Sequence, residues 1–234
     1  MKFRHELKYL LNPADAELIR ERLSVVLHPD PHAENGEYHI RSLYFDDYWD
    51  TAYEEKISGV SRRRKYRIRA YNLRDDVIRL ECKEKRAAYI GKQSAPLNRE
   101  ELARIWDGDY GFLLKRPELL CRQFYVECVS RILRPRVYVD YEREPYILDA
   151  GDVRITFDRN VRGAYPGRTF FDPGLVFRHV LEPKKLVMEV KFTEFLPRVV
   201  GELLPSRASE FSAVSKYTLC CAPVRYLRAN AAEV

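Results

Sequence analysis

Charged and apolar side chains alternate along several short runs of this sequence, and residues two apart in a strand share a face. Residues 64–71 put Lys65, Arg67 and Arg69 on one side and Tyr66, Ile68 and Ala70 on the other. Residues 78–85 set Glu81, Lys83 and Lys85 against Ile78, Leu80 and Cys82. Residues 153–158 divide into Arg154, Thr156 and Asp158 against Val153, Ile155 and Phe157, and residues 186–192 into Glu189 and Lys191 against Leu186, Met188, Val190 and Phe192. At the N-terminus Arg4, Glu6 and Lys8 oppose Phe3 and Leu7. A merely solvated face mixes both signs, whereas Arg and Lys recur here in line with few carboxylates. Cations converging from several strands repel one another unless an anion sits among them. Arginine forks and compact lysine charges suit a chain of phosphates, so the pattern predicts polyanion binding. Glu6, Glu81 and Glu189, set among these cations, either hold a hard divalent ion that neutralises phosphate oxygens or serve as ion-pair partners. Glu189 is the best-placed candidate ligand, because its run LVMEVKF is otherwise apolar and carries one acid and one base.

The elements that must position these residues follow from the same periodicities. Asn12 as N-cap and Pro13 at the first helical position open an amphipathic helix, with Leu18, Ile19, Arg22, Leu23 and Val26 at helical intervals. It follows a short strand over residues 2–10. Beyond it HIRSLYFDD, RRRKYRIRAY, VIRLECKEKR, RPRVYVDYERE, DVRITFDRNV and KLVMEVKF are β-rich runs bounded by Gly, Pro, Asn or Asp. Residues 98–132 and 196–221 are predicted helical, each broken near a Gly or Pro. No linker, repeat or low-complexity stretch divides the chain, which favours one α+β domain over residues 1–234. About eight antiparallel strands closed into a barrel would remove exposed sheet edges and leave a lumen for one ligand.

Composition narrows the function further. The 234 residues carry 41 Lys and Arg against 35 Asp and Glu, a formal charge of +6, with 46% hydrophobic residues. That is ordinary globular composition and excludes disordered, collagen and coiled-coil classes. No apolar run is long enough to span a bilayer, and the charged start MKFRHELKYLL is unlike a signal peptide, so a cytoplasmic protein with no membrane segment in this chain is expected. The five cysteines show no metal or redox spacing and are expected as reduced thiols. Neither a P-loop nor a G-x-G-x-x-G fingerprint occurs. Arg62, Arg63, Arg64, Lys65, Arg67 and Arg69 could form a nucleic-acid patch, but strand register turns Arg67 and Arg69 toward the common charged face, and no nucleic acid partner is expected. His28 and His32 have helical ligand spacing across two prolines that forbid a helix, which leaves them as loop histidines.

In order along residues 4–217, RHELKY, RSLYFDD, KYRIRAY, LECKEK, VDYERE, VRITFD, VMEVKF and SKY resemble the polyphosphate polymerase domain of the vacuolar transporter chaperone (VTC) family, within the triphosphate tunnel metalloenzyme or CYTH superfamily. The resemblance implies a closed eight-stranded antiparallel β-barrel with helices packed outside. In it, ATP donates its γ-phosphate to a growing polyphosphate with Mn²⁺ or Mg²⁺. It assigns Arg67, Arg69, Lys83, Arg143, Arg154 and Lys191 to the transferring phosphates, adds Lys8 and Lys216 to the phosphate set, and makes Glu189 the metal carboxylate. Arg143 fits less cleanly, since Tyr141 and Arg143 share parity with Val137 and Val139, so a bulge or strand end is expected there. Hydrolytic members of the superfamily open with E-x-E-x-K, whereas Arg4 stands here in place of the first acid. Losing that acid disfavours hydrolysis and fits transfer to another phosphate. A triphosphate hydrolase and a non-catalytic polyanion binder remain the rival classes.

Overall fold

The structure, a computed structural model, describes residues 3–87, 89–204, 210–211 and 214–231. Its main strands are β1 (Phe3–Leu11), β2 (Tyr38–Asp46), β3 (Arg62–Tyr71), β4 (Ile78–Arg86), β5 (Tyr89–Leu97), β6 (Arg134–Leu148), β7 (Val153–Ala164) and β8 (Leu186–Phe192). They hydrogen-bond in the circuit β6-β2-β3-β4-β5-β1-β8-β7 and close through a β6–β7 ladder, every neighbour antiparallel. Two-residue bridges at His28–Pro29, Arg178–His179 and Glu210–Phe211 decorate β6, β7 and β1. The eight-stranded barrel expected from the sequence is therefore present.

Helices α1 (Pro13–Ser24), α2 (Thr51–Ile57), α3 (Arg99–Trp106), α4 (Leu119–Ser130), α5 (Arg198–Leu203) and α6 (Lys216–Ala231) surround it. Local chemistry starts them where the sequence indicates. The Asn12 side chain accepts from the Asp15 amide at 2.9 Å, and Asn98 and Glu101 form a reciprocal capping box on α3. The run expected to be helical over 98–132 is α3 and α4 joined by a 3₁₀ turn at Gly111–Lys115. Among the described residues no helix is long and apolar enough to cross a membrane.

The apolar strand faces point outward and explain the helix placement. Tyr66, Ile68, Leu80, Cys82 and Ala95 bury against α3, α4 and residues Phe170 and Phe171, while Met188, Val190, Ile155 and Phe157 bury with Ile19 and Leu23 of α1 and Val200 of α5. Covering two flanks of a barrel this way removes apolar area from water, at roughly 25 cal/mol per Å². A third cluster lies on the inner face. Ile40, Tyr44, Val137, Val139, Tyr141 and Val161 pack with Tyr217, Cys220, Cys221 and Val224 of α6. Tyr141 and Arg143 of β6 thus keep the parity of Val137 and Val139, as partners of Ile40 and Tyr38. No face switch occurs between Val137 and Arg143, the β6 bulge lying earlier at Arg136: the lumen face is apolar at one end because α6 covers it there, and charged at the other. The nearby bulge belongs to β7, where Asn160 adopts φ 52° and the register against β6 slips between Asp140 and Glu142. It carries Val161 and Gly163 onto the inner face that Asp158 occupied before it.

At Gly163 the fit is closest, since a Cβ there would lie 2.7 Å from the Cys220 Cβ and 3.0 Å from its Cα. Gly163→Ala is expected to push α6 off the barrel wall and to cost about 1–3 kcal/mol by overpacking, a fall in Tm of about 2–4 °C per kcal/mol for a chain of this size. Thermal unfolding of the variant checks this, and an unchanged Tm would mean that α6 is not seated against β7.

Candidate functional site

The charged strand faces meet in the lumen. Arg67 and Arg69 arrive from β3, Glu81 and Lys83 from β4, Glu6 and Lys8 from β1, Glu189 and Lys191 from β8, Arg143 from β6 and Asp158 from β7. Lys216, the first residue of α6, enters from one end. Two cavities, of about 280 and 720 Å³, share Glu6, Arg67, Arg69, Lys83, Arg143 and Lys191 as common wall. The smaller extends toward the start of β3 and the end of β4, past Arg63, Lys65, Lys85 and Lys56 of α2. The larger extends the other way, past Arg4, Arg79, Arg74 and Arg154. Sharing that wall, they line a passage along the lumen, with Ser215, Lys216 and Tyr217 at the start of α6 flanking its narrower end.

Ion pairs order this interior. Glu6 accepts from Lys83 Nζ with both oxygens at 2.9 Å, and Lys8 Nζ lies 3.2 Å from both Glu6 and Glu189. Glu189 also holds Lys191 at 2.8 Å, Lys216 at 2.9 Å and Arg143 at 3.4 Å. Arg143 forks onto Asp158 with two contacts of 2.6 Å, and Lys216 reaches Asp158 at 2.5 Å. Arg67 donates to Glu81 at 2.7 Å and to the Tyr44 hydroxyl at 2.8 Å. Lys92 closes the other side of Glu81 at 2.8 Å. Burial works against charge on Glu6 and Glu189, yet Lys83 and Lys8 around the first, and Lys191, Lys216, Lys8 and Arg143 around the second, outweigh it and hold both carboxyls well below the usual range. Both acids are ionised.

Among the described residues, Arg69 and Lys65 stand within the central group of cations with no contacting carboxylate. Arg69 donates to Ser42 Oγ at 3.1 Å and to the Tyr141 hydroxyl at 2.9 Å. Lys65 reaches only the Ser215 hydroxyl, at 3.3 Å, and sits 4.6 Å above the Tyr217 ring. Burial, with Lys8, Arg63, Lys83 and Lys56 nearby, pushes the Lys65 amine well down. Such a group is completed by an incoming anion.

Lys8, Arg67, Arg69, Lys83, Arg143, Lys191, Lys216, Glu6 and Glu189 are thus brought together. Glu81 lies in the same lumen but is tied to Arg67 and Lys92, away from the Glu6–Lys8–Glu189 group. Arg154 stands at the wider mouth, paired with Asp30 at 2.7 Å and with the Tyr38 hydroxyl. Sequence reasoning placed Asp158 on the charged face without a role, and it is the buried anchor of Arg143 and Lys216. It missed Tyr44 and Tyr141, whose hydroxyls hold Arg67 and Arg69, and Lys56, which arrives on a helix where strand alternation gives no signal.

Cations and ionised carboxylates thus line a closed antiparallel tunnel, an interior whose charge suits a polyanion. The sequence matches the VTC domain over residues 3–225, so the chain belongs to that family. Its fold is that of the triphosphate tunnel. HpAC1 from Hippeastrum, described as a putative adenylyl cyclase with a dominant triphosphatase activity, superposes with a TM-score of 0.54 at 14% identity, over 95% of this chain and 96% of that one. A putative adenylate cyclase from Bacillus halodurans gives 0.48 at 12% identity over 83% of both chains. The PH1819 protein of Pyrococcus horikoshii gives 0.46 at 14% identity, over 92% of this chain and 97% of that one. Identities this low speak to the fold alone. No curated protein matches. Family and fold together make this chain a VTC-domain protein built on the triphosphate tunnel fold.

Lys83 gives the site a pH signature. Burial outweighs the pull of Glu6 and lowers its amine from 10.5 to about 8. Between those values the unfolded chain keeps a proton that the folded chain has lost, so this residue makes the fold more stable as pH rises. Anion binding moves the opposite way, because the neutral amine no longer attracts phosphate. In metal-free buffer, tripolyphosphate affinity is expected to fall as pH passes 8, and to fall less steeply in Lys83→Arg, whose charge does not titrate. Calorimetric titrations of both proteins across that range check it, and equal slopes would remove Lys83 from the phosphate set.

Proposed function

We propose that this protein is a metal-dependent phosphotransferase that uses ATP to lengthen inorganic polyphosphate inside the tunnel. The observation that carries the reading is the passage itself: the two cavities share one ring of cations and lead away from it in opposite directions. A hydrolase releasing small products needs only one mouth, whereas a linear polymer needs a way in and a way out. Phosphoryl transfer through a loose transition state asks mainly for alignment and charge neutralisation. In this reading Arg67, Arg69, Lys83, Arg143 and Lys191 hold donor and acceptor phosphates in line, with Lys8 and Lys216 on the flanking oxygens and Arg154 at the entrance. The acceptor phosphate is already ionised, so no general base is required.

The lumen suits a divalent cation that arrives with its own phosphate ligands. Among the described residues no three His, Cys, Asp or Glu side chains gather to hold an ion, but Mg²⁺ and similar ions take one or two carboxylates and complete their shell with phosphates and water. Glu6 and Glu189 are ionised oxygen donors flanking Lys8, and Thr156, cross-strand partner of Glu189, has a buried hydroxyl without a hydrogen-bond partner. These residues would hold Mn²⁺ or Mg²⁺, with Glu81 as a more distant carboxylate. When bound, the ion would supply positive charge to the β- and γ-phosphate oxygens.

Incubation of the purified protein with ATP and Mn²⁺, followed by a gel that resolves chain length, is expected to give a polyphosphate ladder. Orthophosphate alone would make it a hydrolase, and no turnover would make it a binder. Glu189→Gln is expected to raise the Mn²⁺ concentration needed for activity at least tenfold while metal-free ATP binding persists, since the lumen becomes more positive. If ATP binding is lost instead, Glu189 acts only by ordering Lys8, Lys191 and Lys216. Arg67→Ala with Arg69→Ala is expected to weaken ATP binding by about 1.5–3 kcal/mol per lost charge-assisted contact, and calorimetry of the folded double variant checks it.

A further inference from the structure

The outer surface near the smaller cavity carries an apolar ridge. Trp49 is 76% exposed and Tyr48 67%, in ring contact at 4.9 Å, and Val126, Val129 and Ile132 at the end of α4 are each more than half exposed. The two groups are neighbours. Asp46 pairs with Arg134 in the β2–β6 ladder, so the chain running on from β2 to Tyr48 leaves beside the residues leading into β6, Ile132 among them. Asp47 fastens them, accepting from Arg131 at 3.0 Å and from the Trp49 and Thr51 amides at 3.1 and 2.9 Å. The aromatic pair is therefore held out on a capped helix start rather than on a loose loop.

The exposed charges flanking the ridge are mostly basic. Arg62, Arg64, Arg122, Arg131 and Arg134 are exposed. The nearby carboxylates Asp47 and Glu84 are buried and Glu55 and Glu127 half-buried; Asp47, Glu84 and Glu127 are paired with these arginines or with Arg86, and Glu55 lies near Arg131 and Arg63. A second copy of the chain would bring arginines against arginines across a twofold axis, at an electrostatic cost. Trp and Tyr favour the headgroup level of a bilayer, aliphatic side chains dip below it, and arginines pair with anionic headgroups. We propose that Tyr48, Trp49, Val126, Val129 and Ile132, with the arginines around them, form a docking surface for an anionic lipid bilayer. Arg63 lines both the shallow cavity beside this ridge and the smaller tunnel cavity, so docking would hold that mouth of the tunnel near the membrane. The assignment rests on the surface alone and stands whether or not the tunnel makes polymer.

Flotation with vesicles tests it. The full chain, with saturating tripolyphosphate to occupy the tunnel, is expected to float with vesicles of equal parts phosphatidylglycerol and phosphatidylcholine and to remain behind with phosphatidylcholine alone. Trp106→Phe leaves Trp49 as the sole indole, and its emission is expected to shift to the blue on binding. Trp49→Ser with Ile132→Ser changes exposed residues only, and is expected to lower vesicle affinity at least tenfold with tripolyphosphate binding unchanged. Failure to float with the anionic vesicles would overturn the proposal. So would loss of binding on Arg64→Glu with Arg122→Glu but not on the Trp49 and Ile132 changes, which would mean charge adsorption without insertion and point to an acidic protein as the partner.

Discussion

Everything in this barrel answers to one constraint, the burial of many positive charges in a narrow space. Lys8, Lys65, Arg67, Arg69, Lys83, Arg143, Lys191 and Lys216 face a lumen that offers Glu6, Glu81, Asp158 and Glu189 in return. Leaving one member of a buried ion pair without its partner costs about 3–5 kcal/mol, so the carboxylates are what allow the empty tunnel to exist as a folded object. The acids are fewer than the bases, and the excess is the capacity to bind an anion. Outward apolar faces and the helices that cover them follow, because a barrel that turns its charges in must turn its hydrophobic residues out.

The two ends differ in how that excess is distributed. Around the smaller cavity Lys56, Arg63, Lys65 and Lys85 gather with no carboxylate in ion-pair contact among the described residues. The wider one mixes Arg4, Arg74, Arg79 and Arg154 with Asp30, Glu34 and Asp76. A polyanion therefore meets a graded potential along the passage rather than a uniform one, with low-dielectric walls that focus it.

Strand alternation exposed most of this site before any coordinates, because in a barrel the period-two pattern maps directly onto inside and outside. Lys65, Arg67 and Arg69, Glu81 and Lys83, and Glu189 and Lys191 needed only a parity count. The pattern failed where a long-range neighbour decides. β6 looked wrongly phased at Arg143 because Val137 and Val139 are apolar, and the reason is α6, which covers that half of the lumen face from a position some eighty residues later in the chain. The slip in β7 turns on Asn160 adopting a left-handed backbone, which asparagine tolerates but its sequence context does not announce. Lys56 and Tyr217 belong to helices whose docking depends on Asp46, which accepts from the Ala52 and Tyr53 amides and from the Tyr217 hydroxyl. No local pattern encodes that three-way junction.

A hoop is only as strong as its thinnest join. Among the described residues β1 pairs with β8 over seven positions and with β5 over two, Phe3 with Gly91 and Arg4 with Ile90. Side chains that tie β1 to β4 across β5 include Glu6, which accepts from Lys83 at 2.9 Å, and Phe3, whose ring lies under the Arg86 guanidinium. The Glu6–Lys83 pair that sets the charge of the lumen is thus also a clasp across β5, and the chemistry of the interior and the mechanics of its wall are one set of bonds.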